Sequence, residues 1–108
     1  MIENGESAAR LESLGRRIIE YANANRDRLP DTLDDLKRML SPADMEWLRG
    51  NVEYMGKGRT VASPLGTVVA YDKMVLREGR GTPVLYVDFH VIFESPARLE
   101  LLGIKMKP

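Results

Sequence analysis

His90 is the only histidine of the 108-residue chain, and Asp88 stands two residues before it. A carboxylate beside an imidazole can orient the ring and hold its proton, as a general base or a metal ligand requires. On one face of an extended strand the two side chains would be neighbours, because alternate residues point the same way. No Ser or Cys nucleophile motif flanks the pair, however, and no further ligands stand at a spacing that would complete a metal site. The favoured reading is a turn-stabilising Asp88 and a structural His90, with a hydrolase built on the pair as the weaker alternative.

Other chemistry-bearing residues fall into three groups. Asp31, Asp34, Asp35 and Asp44 concentrate acid, but they occupy helix-cap positions and lack the Asp-x-Asp-x-Asp-Gly spacing of an oxygen cage, so caps are expected rather than calcium. Lys57, Arg59, Lys73, Arg77 and Arg80 lie among Tyr54, Tyr71 and Tyr86, a mixture that could suit single-stranded nucleic acid. Glu53, Asp72 and Glu78 interrupt it, which favours an ordinary solvated face. Gly56-Lys57-Gly58-Arg59-Thr60 lacks the Gly-Lys-Ser/Thr ending and following helix of a phosphate loop. Trp47, with Met45, is either an exposed anchor or a lid on the core; a small domain needs its only Trp inside, which favours the lid. If a protein partner is bound, Trp47, Arg59, Arg77 and Arg80 are the residues to contact it.

Composition narrows the function classes further. Sixteen Lys and Arg balance sixteen Asp and Glu, so no global positive field draws the chain to nucleic acid or anionic lipid. The absence of cysteine excludes disulfides, thiolate nucleophiles and Cys-ligated metals. No cofactor is expected. The opening Met-Ile-Glu-Asn-Gly-Glu-Ser has neither a basic nor an apolar targeting region, and no apolar run is long enough to span a bilayer.

The elements that must position these residues follow from periodicity. Leu11, Leu14, Ile18 and Ala22 recur at three- and four-residue steps and predict an amphipathic helix from Ser7 to near Arg26–Arg28, where Pro30 biases Leu29 toward extended backbone. Glu12–Arg16 and Arg16–Glu20 are the expected ion pairs on its outer face. A capped second helix should run from Asp31 or Thr32 to about Leu40, and Ser41-Pro42 should open a third that stops at Gly50. Val52–Tyr54, Thr67–Tyr71 and Val84–Phe93 have strand character. Ser95-Pro96 caps a short last helix ended by Gly103. Segregated helices and strands predict one α+β domain over residues 1–108: a long N-terminal amphipathic helix and short helices packed on a small antiparallel sheet. Residues 1–6 and 104–108 are expected to be flexible.

Val84–Glu94 admits two readings. One long strand would put Leu85, Val87, Phe89, Val91 and Phe93 on one face. A hairpin turning at Asp88-Phe89 would set Tyr86 opposite Val91, but a two-residue primed turn needs positive φ at both positions, which penalises Phe.

Two stretches resemble type II secretion pseudopilins and related prepilin-like proteins. Tyr21-Ala-Asn-Ala-Asn25-Arg-Asp-Arg-Leu29-Pro30, followed by Thr32, Leu33, Asp35 and Leu36, is similar to the end of their long helix and the short helix after it. Pro83-Val-Leu-Tyr-Val-Asp88-Phe-His90-Val91 resembles their Asn-Val-Leu-Phe-Ala-Asp-Gly-His-Val hairpin, with Phe89 in place of the turn glycine. The apolar N-terminal half of the pilin helix and its cleavage signal are missing. The resemblance implies the soluble head of a pseudopilin-like protein: a non-enzymatic assembly or interaction module that binds a protein partner or its own kind. It implies the cell envelope or periplasm; a chain complete as given would instead be cytoplasmic. The alternative is a small regulatory or ligand-binding domain that uses the Gly-rich loops at 56–66 and 77–81.

Overall fold

The computed structural model describes residues 2–76 and 79–104. The long helix α1 spans Ile2–Ala24, starting ahead of the expected Ser7. Its stripe of Leu11, Leu14, Ile18 and Ala22 is at most 1% exposed, so the helical spacing has delivered all four side chains to the core. On the outer face Glu20 pairs with Arg17 at 2.8 Å rather than with Arg16, and Arg10 pairs with Glu6 at 3.4 Å.

Beyond α1 the chain reverses through Arg26 and Asp27, both with positive φ (59° and 65°). The Asp27 N–H reaches the Ala22 carbonyl at 2.8 Å, which satisfies a helix-end acceptor. A single 3-10 turn, Leu33–Leu36, replaces the expected helix to Leu40. Past Thr32 the N–H groups of Lys37 and Met39 bond the carbonyls three residues back, of Asp34 and Leu36, at 3.1 and 2.8 Å, so the segment is wound in tight turns rather than α-turns, and Pro42 then holds Ser41 extended. The Asp35 carboxylate reaches back to the N–H groups of Asp31 and Thr32 at 3.1 and 3.3 Å, as a capping acid should. Helix α2, Pro42–Asn51, opens with Ser41 Oγ accepting from the Asp44 N–H, and it carries Gly50 inside its last turn rather than beyond it.

Four antiparallel strands follow: β1 (Val52–Tyr54), β2 (Val68–Asp72), β3 (Thr82–Tyr86) and β4 (Val91–Glu94), in spatial order β1-β2-β3-β4. A short helix α3, Lys73–Leu76, lies between β2 and β3. Asp72 Oδ1 accepts from the Met74 N–H at 2.8 Å, a start signal that the strand pattern had obscured. Helix α4, Pro96–Leu101, is capped by Ser95 and ends on Gly103 at φ 82°. There the Ile104 N–H bonds the Leu99 carbonyl and the Gly103 N–H bonds that of Glu100, a Schellman closure. Ile104, expected among the flexible ends, is buried beside Leu99 by that closure.

The pleat divides the core in two. Leu85 and Val87 join Leu11, Leu14, Ile18, Val52 and Val69 under α1, whereas Val84 and Tyr86 face Leu99 and Ile104 under α4. All five β3 residues are buried because both faces of that strand are covered.

Candidate functional site

Val84–Glu94 is a hairpin, closed by a three-residue loop rather than by a two-residue turn at Asp88-Phe89. The Phe89 N–H bonds the Tyr86 carbonyl at 2.7 Å, and the Tyr86 N–H bonds the His90 carbonyl at 2.9 Å. Val87, Asp88 and Phe89 therefore form a three-residue loop, and Tyr86 stands opposite His90 rather than Val91. Such a loop needs only one left-handed residue, which here is Phe89 at φ 68°. The half-buried Phe89 side chain lies over Gly15 of α1, where an added Cβ would stand 3.7 Å from it and 3.2 Å from Leu85 Cδ1. Gly15 thus lets the turn approach the bare helix backbone, a role no local pattern revealed.

On that turn Asp88 and His90 do meet. His90 Nδ1 lies 2.9 Å from Asp88 Oδ2, and Asp88 Oδ1 accepts from the His90 N–H at 3.2 Å. These bonds from His90 hold the Asp88 carboxyl below the usual carboxylate range. The imidazole is 76% exposed. The groove beside it is lined by Leu65, Gly66, Tyr86, Ile92, Glu94 and Arg98. Tyr86 Oη donates to Glu94 Oε2 at 2.5 Å, and Arg98 Nε lies 3.9 Å from Glu94 Oε1. Burial, then the Glu94 hydrogen bond, pushes the Tyr86 phenol up to about 12. The groove lining therefore offers neither an aliphatic hydroxyl nor a thiol, and its phenol is a poor acid at neutral pH. No cluster of metal-ligating side chains occurs among the described residues.

Comparison with protein-family models, curated proteins and solved structures finds no match to this chain.

The remaining sequence-nominated residues do not converge on this turn. Trp47 is half-buried against the main core, with the Arg10 guanidinium 4.8 Å over its ring and Arg10 also 3.6 Å from Asp44. Asp34 pairs with Arg49 at 2.6 Å, so Asp34 and Asp44 serve exposed ion pairs while Asp35 is the capping acid. Arg59 is exposed, and its carbonyl accepts from the Leu29 N–H at 3.1 Å in the loop after β1. Pro30 is buried behind it, accepting from Tyr54 Oη at 2.5 Å. Burial raises the Tyr54 phenol well above its ordinary value, helped by Asp31 and Asp35. Arg80 is exposed in the loop before β3; Arg77 lies outside the described residues. Since β2 runs between them, the 56–66 loop and residues 79–81 sit at opposite ends of the sheet.

Two features escaped the sequence reading. Ile92 and Phe93 are 48% and 47% exposed on β4, an edge strand, although each belongs to a run that reads as core. Ser7, Asp72 and Thr82 form a buried polar node: Ser7 Oγ donates to Asp72 Oδ2 at 2.6 Å, and Thr82 Oγ1 donates to the Asp72 carbonyl at 2.7 Å. The node ties the first turns of α1 to the sheet, with Thr82 serving an acceptor beside Pro83, which has no N–H to give.

Proposed function

We propose that this chain is a non-enzymatic assembly or interaction module, the soluble head of a pseudopilin-like protein of the cell envelope, which binds protein through its exposed sheet edge and loops. The observation that carries the reading is the outer strand β4, where Ile92 and Phe93 present apolar side chains on a rigid sheet braced by α1. A long helix across an antiparallel meander, with a last hairpin turning through Asp88 and Phe89, is also the arrangement that the resemblance implies.

The competing classes gain less support. A hydrolase would need a nucleophile within reach of His90, and the lining of the adjoining groove supplies none. A small-molecule site drawing on both Gly-rich loops would need them on one side, and they lie at opposite ends of the strands. Among the described residues no helix is long and apolar enough to cross a membrane, so membrane anchorage would come from another segment.

The test is to tag the gene at its 3′ end in the source cell and fractionate the product. With the mass of the tag subtracted, a product larger than 12.2 kDa in the membrane or sheared-filament fraction supports the reading. A freely soluble product of 12.2 kDa plus the tag refutes it.

A further inference from the structure

We infer that β4 pairs with the β4 of a second copy of this chain, antiparallel and centred on Ile92, to make one continuous sheet across two molecules. This rests on the reading above of an assembly module and names its partner as another copy of the chain.

The argument begins with the ladder. Tyr86 bonds His90, and the register sets Val84 opposite Ile92 and Thr82 opposite Glu94. Antiparallel pairing alternates, so His90, Ile92 and Glu94 direct their backbone groups toward β3, while Val91 and Phe93 direct theirs outward. A two-fold axis through Ile92 sets Val91 opposite the second copy's Phe93, and Phe93 opposite its Val91. Each pair then exchanges N–H···O=C bonds in both directions. Ile92 meets its own copy at the axis as the close, non-hydrogen-bonded pair. The exposed apolar side chains of the strand, Ile92 on the α4 face and Phe93 on the α1 face, are covered in the same step.

Charge selects the antiparallel sense. The Asp88–His90 pair of one copy falls toward the Glu94–Arg98 pair of the other, which brings the other's arginine to the Asp88 turn, whereas parallel pairing would set Asp88 beside Asp88. The strand has no Lys, no Pro and no bulge, and its one charge, Glu94, is drawn aside to Tyr86 Oη and Arg98. At the opposite edge β1 presents the exposed Glu53 instead.

Because the chain has no cysteine, a single introduced thiol reports the contact. Ile92→Cys should form a disulfide-linked dimer on mild oxidation about tenfold faster than Leu101→Cys, whose site on α4 is 79% exposed but off the edge. Sedimentation of the unmodified chain should show dimer growing with concentration up to about 1 mM, as befits a small interface. Ile92→Lys should abolish it while leaving the circular dichroism spectrum and melting temperature intact. Equal oxidation rates for the two thiols, or a monomer at every concentration, overturns the pairing. Those results combined with envelope fractionation would remove the β4 contact and keep the head-domain reading; a β4 dimer from a freely soluble 12.2 kDa product would do the reverse.

Discussion

Replacing Phe89 by alanine and, separately, by glycine isolates the backbone strain of the hairpin from the packing of the ring. Phe89 sits at φ 68° with its half-buried ring against Gly15. Either substitution removes the ring, at about half the 3–5 kcal/mol of a fully buried Phe, so about 1.5–2.5 kcal/mol. Alanine keeps the left-handed penalty; glycine removes about 1–2 kcal/mol of it and gives back about 0.5–1 kcal/mol through its greater freedom in the unfolded chain. Phe89→Gly should therefore be more stable than Phe89→Ala by about 0.5–1 kcal/mol, the reverse of their order at an ordinary helix or strand position. Urea unfolding followed by far-ultraviolet circular dichroism measures the difference, provided both variants show the same denaturant slope. An alanine variant as stable as the glycine variant, or more so, would refute the three-residue turn and its single left-handed residue.

Two further outcomes follow from the buried polar groups. Ser7→Ala leaves Asp72 Oδ2 without the 2.6 Å hydroxyl bond inside the fold, and should cost about 1–3 kcal/mol in urea unfolding; a change below about 0.5 kcal/mol would deny the node its role in holding α1 to the sheet. The Tyr86 phenol is raised in the folded state, so its contribution to stability is complete below the ordinary tyrosine value near 10 and is lost as pH rises through about 12. Absorbance titration should show one late-ionising tyrosine fewer in Tyr86→Phe, with the late ionisation of Tyr54 retained; an unchanged late-ionising amplitude in Tyr86→Phe would contradict the Tyr86–Glu94 bond.

Helical spacing located the buried stripe Leu11, Leu14, Ile18 and Ala22, and short-range chemistry located the Ser41 and Ser95 caps and the Gly103 stop. These depend on contacts within a few residues, which the chain order itself specifies. The second helix was not so legible: its apolar spacing fits i→i+3 turns as well as α-turns, and the chain takes the former, Lys37 and Met39 bonding Asp34 and Leu36. Asp88 and His90 were recognised as neighbours, since a two-residue separation allows it on a strand or in a turn.

Sequence by itself determined the α+β class, the helix that lies on the sheet and the acid–imidazole pair, because periodicity, caps and charge are properties of neighbours along the chain. Only the tertiary structure decided that Gly15 makes room for Phe89 and that Ser7 closes on Asp72, 65 residues away. It alone also put Ile92 and Phe93 at a sheet edge rather than in the core. Strand order is set by which surfaces come together when the whole chain collapses. A run of Val, Ile and Phe has the same local preference whether or not another strand lies beside it.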